Sequence, residues 1–136
     1  MLKALIFDAD GTLAMTETDY HRVAYNNAFA AYGLDWHWDE GLYLKLLAVA
    51  GGKERMRHYI THYHALLPEK CPNGHDYIDA LYDHKTVEYT RLLNEKAVSG
   101  RPGVFDLLQN ARRQGIRLAI ASTSHSDNVV ALLRSA

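Results

Sequence analysis

One cysteine, Cys71, among 136 residues leaves no partner for an internal disulfide, which fits a reducing compartment. Charge of one sign is also missing. Fifteen Lys+Arg stand against sixteen Asp+Glu for a formal charge of −1, so no large positive field is available to collect nucleic acid, and a nucleic-acid partner is not expected. No apolar run approaches the length needed to span a bilayer, which argues against a membrane role. Met1 leads straight into a strand-like segment without the pattern of a secretory signal. These absences make a cytoplasmic protein the expectation. What is present, 48% hydrophobic and 23% charged side chains, has the balance of a globular chain rather than a disordered one.

Two short apolar runs read as buried strands. Leu2 to Phe7 is broken only by Lys3 and ends at Asp8-Ala9-Asp10-Gly11, too soon for a helix. Ile116 to Ala121 is entered through Gly115 and left through Ser122-Thr123-Ser124. Both suit parallel strands that feed loops at their C-terminal ends.

Between them the period changes. Tyr20, Val23, Ala24, Asn27, Ala28 and Ala31 recur at helical spacing, Thr16 or Thr18 can cap the start, and Gly33 suits the position just past the end. Asp39 to Leu47, Lys53 to Leu67 and His75 to Lys96 read as three more helices, separated by Gly51-Gly52 and by Pro68 to Gly74. In Arg101-Pro102-Gly103, Pro102 suits the first position of a helix running to Gln114. A last helix is expected over Asp127 to Arg134.

Phe7-Asp8-Ala9-Asp10-Gly11-Thr12-Leu13 is the segment richest in chemistry. Alternate side chains of an extended backbone share a face, so Asp8 and Asp10 can converge at the mouth of a parallel sheet, where open α/β sheets bind ligands. Two neighbouring carboxylates repel unless a cation or a shared proton intervenes, so the pair implies either Mg²⁺ or acid–base work. Gly11 allows a sharp turn and Thr12 supplies a hydroxyl to orient a carboxylate. An Asp-Gly hairpin turn is the competing reading, but a hairpin needs a second strand directly after it, and here a helix follows.

Asp8-x-Asp10-Gly11-Thr12, together with Leu118-Ala119-Ile120-Ala121-Ser122, resembles the first and second motifs of the haloacid dehalogenase superfamily. The resemblance implies an α/β fold: a Rossmann-like core over residues 1–15 and 98–136, of which only two strands are expected, and an inserted all-helical cap over 16–97. It implies that Asp8 is the nucleophile that takes a phosphoryl group. Asp10 would protonate the leaving oxygen and then activate water. Ser122 and Thr123, with the backbone N–H groups of Ala9 and Asp10, would hold the phosphoryl oxygens. Mg²⁺ would sit on Asp8 and Asp10. An acid at position 10 is similar to the phosphatases and phosphomutases of the superfamily, not to its dehalogenases, phosphonatases or P-type ATPases.

Thr12-Leu13-Ala14, Glu17, His21-Arg22, Trp36-His37-Trp38, Gly51-Gly52-Lys53-Glu54-Arg55 and Arg101-Pro102-Gly103 narrow the resemblance to the CbbY-like sugar-phosphate phosphatases, beside the phosphoglycolate-phosphatase-like and β-phosphoglucomutase-like enzymes. By that similarity Lys53 and Arg55 bind the distal phosphate of a small phosphorylated metabolite, while Thr12, Glu17 and His21 line its site. Read from the residues alone, two glycines and a cation at a helix start are equally an anion site and an ordinary solvated helix end.

The superfamily also carries a third motif with a Lys or Arg and a fourth with acids. After Ser122 the only cation is Arg134 and the only carboxylate is Asp127, and neither is assigned those roles. The chain is therefore expected to represent part of such a phosphatase. The alternatives are a remnant that acts as a binding module or needs a C-terminal piece, and a phosphomutase. His58, His62, His64, Cys71 and His75 lack the paired short spacing of a structural zinc module. Trp36 and Trp38 are expected as anchors of the helical core.

Overall fold

Ala4–Phe7 forms β1 and Arg117–Ile120 forms β2. They pair in parallel with Leu5 opposite Leu118 and Phe7 opposite Ile120. A parallel pair needs a long crossover, and here it holds five helices: α1 (Arg22–Ala31), α2 (Glu40–Leu46), α3 (Gly52–Tyr63), α4 (Gly74–Glu95) and α5 (Val104–Arg113). A last helix, α6 (Ser126–Ser135), follows β2. The structure, a computed structural model, describes residues 1–69, 71, 74–96 and 98–136, without the side chains of 74–76. Both expected strands are present, and the fold is an α/β core of two parallel strands with helical elements. No helix among the described residues is long and apolar enough to cross a membrane.

Several boundaries differ from the sequence reading, each for a local reason. A π-helical turn over Glu17–His21 precedes α1, and its wider loop turns the adjacent Tyr20 and His21 both inward. Thr16 sits at the N-cap of that turn without a side-chain capping bond, because its hydroxyl is used elsewhere. Asp39 caps α2 by accepting from the Leu42 N–H at 2.8 Å. α3 ends at Tyr63 instead of Leu67, where His64 turns left-handed at φ 53°. Pro102 is not the first residue of α5, since Gly103 intervenes at φ 82°.

The helices close on an aromatic core. Trp38 is fully buried and meets Phe29 edge-on at 4.9 Å and Tyr59 at 5.4 Å. The Asn26 amide brackets the Trp38 backbone, donating to its carbonyl at 2.9 Å and accepting from its N–H at 2.8 Å. Trp36 donates to the Leu66 carbonyl at 3.0 Å. Both tryptophans thus anchor the helical core as expected. A second cluster, built on Ala9, Ala14, Tyr20, Ala24, Tyr89, Leu92 and Leu132, fastens the loop after β1 to α1, α4 and α6.

Candidate active site

The chain leaves β1 at Phe7 and turns within seven residues. Gly11 takes φ 74°, a conformation that costs other residues. Its N–H reaches the Ala14 carbonyl at 2.7 Å, and the Leu13 N–H reaches the Ala9 carbonyl at 2.9 Å. Arg101 clamps this loop from across the fold. Its side chain donates to the Gly11 carbonyl at 2.8 Å, and its N–H donates to the Leu13 carbonyl at 2.8 Å. The loop therefore ends with Asp8 exposed and Asp10 buried. The two carboxylates emerge from one strand end, but they meet very different surroundings.

Asp8 accepts from the Ala9 N–H at 2.8 Å. Asp10 is held on every side. Thr16 and Tyr89 donate to its Oδ1, Tyr89 at 3.1 Å, and Ser124 donates to its Oδ2 at 2.6 Å. His21 Nε2 lies 2.9 Å from Oδ1, a contact too poorly aligned to serve as a full hydrogen bond. Burial by itself would raise the Asp10 pKa. His21 and the hydroxyls of Ser124 and Thr16 outweigh it and hold the carboxyl well below its usual range.

Behind His21 stands Lys85 of α4, whose side chain is fully buried. Lys85 Nζ lies 2.7 Å from His21 Nδ1. A protonated lysine can only donate, so Nδ1 is the acceptor and the ring proton sits on Nε2, facing Asp10. Burial and the Lys85 charge push His21 down to about 4. Burial pushes Lys85 down to about 7, against the pull of Asp10. The rings of Tyr25, Tyr82 and Tyr89 surround the ammonium at 4.8, 5.5 and 5.1 Å. Tyr89 also stacks on His21 at 4.0 Å.

A small cavity of about 30 Å³ opens beside this cluster, lined by Glu17, His21, Tyr25, Gly51, Gly52, Arg55, Tyr82, Thr123 and Ser124. It continues into an outer cleft of about 190 Å³ that adds Lys53, Glu54 and His125. Glu17 accepts from the buried Tyr43 hydroxyl at 2.8 Å. Its pKa is raised by burial and by Asp10, while the Tyr43 bond opposes this. Arg55 is anchored by the Leu46 and Val49 carbonyls at 3.1 and 3.2 Å.

Of the residues expected at the site, Glu17, His21, Arg55 and Thr123 share the inner cavity. Lys53 faces the outer cleft, with its ammonium on Asp79 at 2.9 Å. Ser122 Oγ accepts from the Ser124 N–H at 3.1 Å. Thr12 is exposed, and the threonine hydroxyl that reaches Asp10 belongs to Thr16. Sequence reasoning missed Thr16 as an Asp10 partner, and it also missed Ser124, Tyr43, Lys85 and Tyr89. Lys85 and Tyr89 carry one usable signal, the spacing of four that puts both on one helical face.

Mg²⁺, which the fold family implies, would find the exposed Asp8 carboxylate and the Asp10 main-chain carbonyl here. One carboxylate suits an ion that keeps several waters and takes others of its ligands from a phosphate. Among the described residues no group of three or more His, Cys, Asp or Glu could hold a metal. His58 and His62 do stack at 3.9 Å, but that pair has no third ligand among them. The His75 side chain lies outside the described residues.

Residues 2–136 match the haloacid dehalogenase-like hydrolase family. The plasmid-borne protein CbbY of Cupriavidus necator is 46% identical over 136 residues, covering 98% of this chain and 52% of that protein. A structure of CbbY from Rhodobacter sphaeroides in complex with phosphate is 42% identical, with a TM-score of 0.88 over 99% of this chain and 57% of its own. Another structure of that protein, a mutant in complex with xylulose-(1,5)bisphosphate, is 41% identical with the same TM-score of 0.88 and the same coverage. The chain spans about half the length of the curated relatives it matches.

Proposed function

The chain belongs to the haloacid dehalogenase-like hydrolases, and from that footing we propose that it carries the nucleophile, the acid–base group and the substrate-selecting residues of a phosphate-monoester hydrolase. The substrate is a small sugar phosphate or bisphosphate. The observation that carries this reading is the contrast between the two carboxylates: Asp8 exposed at the strand end, Asp10 buried in a shell of donors. One is placed to attack, and the other is held in the ionised form that can accept a proton.

In the first step an Asp8 oxygen bonds to phosphorus while the ester P–O bond breaks, and Asp10 gives the departing alkoxide its proton. In the second, Asp10 takes a proton from water as that water bonds to phosphorus, and the Asp8 carboxylate leaves with inorganic phosphate as the product. Asp10 is ionised in the arrangement described, because His21 and the Ser124 and Thr16 hydroxyls outweigh its burial. This is the form needed to activate water. The acid form needs the Ser124 bond to Oδ2 to open, leaving that oxygen for a proton. Mg²⁺, when bound at Asp8 and the Asp10 carbonyl, would offset the negative charge of the phosphoryl oxygens.

Residues 16–97 act as the lid. A cavity of about 30 Å³ has room for little more than a water molecule, so a sugar bisphosphate must enter with the helices displaced and be enclosed on their return. Glu17 would accept from a sugar hydroxyl. Arg55, and Lys53 once drawn from Asp79, would meet the far phosphate. The relative bound to xylulose-(1,5)bisphosphate supports a bisphosphorylated sugar as the substrate class.

Hydrolysis of p-nitrophenyl phosphate with Mg²⁺ is the test, first with the chain as given and then with Asp8→Asn. The variant should lose about 10⁴-fold or more in turnover. Turnover unchanged in Asp8→Asn rejects the mechanism. A second reading is a binding module without catalysis. It predicts saturable binding of a sugar bisphosphate, seen by calorimetry, with no phosphate release.

A further inference from the structure

The inner cavity holds a carboxylate, Glu17, and a guanidinium, Arg55. Opposite charges that share a small, poorly hydrated space tend to pair, because each offsets the cost of burying the other. These two are near enough for the Arg55 charge to act on the Glu17 carboxyl, yet among the described residues no ion pair joins them. Each is tied elsewhere. Glu17 Oε2 accepts from the Tyr43 hydroxyl at 2.8 Å. Arg55 Nε donates to the Leu46 carbonyl at 3.1 Å, and Nη2 donates to the Val49 carbonyl at 3.2 Å. Tyr43 and Leu46 belong to α2, and Val49 to the turn that closes it. The Tyr43 ring also lies beneath the guanidinium, with its centroid 5.5 Å from Cζ. One short helix and its closing turn thus hold both charged groups, and the fully buried Tyr43 side chain touches both.

Resting on the reading that Glu17 meets a sugar hydroxyl and Arg55 the far phosphate, we propose that Tyr43 is a positioning residue whose hydroxyl holds Glu17 off Arg55, so that a hydrogen-bond acceptor and a cation stay open together for one ligand. The ligand that uses both is a phosphate ester with a hydroxyl close to its anionic group. A tyrosine suits the task. Burial and the Glu17 charge push the Tyr43 hydroxyl well above its usual range, so toward Glu17 it acts only as a donor. Arg55 has five N–H donors, and the two given to backbone carbonyls leave the others for an anion. Phenylalanine at position 43 would keep the ring beneath Arg55 and withdraw the proton. Glu17 would then turn to a cation, and Arg55 acts on it more strongly than Lys85 does. A Glu17–Arg55 pair consumes the donors that a phosphate would use and the acceptor that a hydroxyl would use, silencing both ends of the cavity.

The test uses the full chain and needs no turnover. Tyr43→Phe keeps the buried ring, so it should fold with the helical circular dichroism of the parent. Glu17→Gln, Arg55→Gln and the double variant are made in the parent and in Tyr43→Phe, and urea unfolding gives the folding equilibrium constant of each. In the parent the effects of the two single changes should multiply to within about threefold, whereas in Tyr43→Phe the double variant should depart from that product at least about tenfold, the sign of a new pair. Inorganic phosphate, followed by calorimetry, should bind Tyr43→Phe about tenfold more weakly than the parent. Glu17→Gln in that background should recover most of the loss, which a packing defect would not permit. A product rule that holds in Tyr43→Phe as it does in the parent overturns the proposal, and so does a lowered phosphate affinity that Glu17→Gln fails to recover. If the parent binds no phosphate, the reading of Arg55 as the phosphate residue fails, and the unfolding cycle, which involves no ligand, still decides the role of Tyr43.

Discussion

Single residues carry the sharpest expectations. Lys85 is buried and pushed down to about 7 from 10.5, so between those values the unfolded chain binds a proton that the folded chain does not. Stability therefore rises with pH across that window, and the cost of charging Lys85 is felt as pH falls toward 7. Urea unfolding at pH 7 and pH 9 should show the gain, and Lys85→Met should flatten it. His21, depressed from 6.5 to about 4, has the same sign at lower pH, with stability lost as pH falls through that interval. Asn128 is a different case. Its amide is buried, and neither polar atom has a hydrogen-bond partner among the described residues. Asn128→Leu removes an unsatisfied pair of groups and should stabilise by about 1–3 kcal/mol, read as a higher melting temperature. At this scale Asp8 and Asp10 stand out in the sequence by type and spacing, whereas Glu17, His21 and Arg55 are singled out only through the family resemblance, and the structure brings those three to one cavity. Lys85, Tyr89 and Ser124 were not legible, because a lysine on a helix reads as solvated surface until tertiary packing turns it inward.

Among the elements, the helix starts at Gly51-Gly52 matter most. A Cβ on Gly52 would collide with the Tyr82 ring and the Tyr25 hydroxyl, both of which line the inner cavity. Gly52→Ala should cost about 1–3 kcal/mol by overpacking. In turnover or ligand binding it should do more harm than its loss of stability explains, because Tyr25 and Tyr82 also enclose Lys85. The helices themselves were legible from their 3.6-residue period, and both strands from short apolar runs closed by turn residues. Their ends were less so. The π-helical turn over Glu17–His21 has no separate sequence signature, and Thr16 reads as an ordinary cap although its hydroxyl goes to Asp10. Leu67 could have prolonged α3 by pattern alone, but the left-handed turn at His64 stops it.

For the whole molecule, the fold class was legible because two motifs at strand ends, with a helical block between them, allow few arrangements. What was not legible is how intimately the helices and the sheet are joined. One apolar cluster holds Ala9 and Ala14 of the first loop together with Tyr89 and Leu92 of α4 and Leu132 of α6. Deleting residues 16–97 and closing the gap should therefore leave an insoluble or molten remnant instead of a smaller stable domain, as gel filtration and near-UV circular dichroism would show.

The line from Lys85 through His21 to Asp10 crosses that join. It makes the helical unit a poor candidate for exchange. A lid grafted from another hydrolase would bring its own pocket, yet it would leave Asp10 in the wrong ionic surroundings unless positions 21 and 85 came with it. The three positions act electrostatically as one unit, so any replacement of the helical segment must carry the supports of Asp10 along with the pocket.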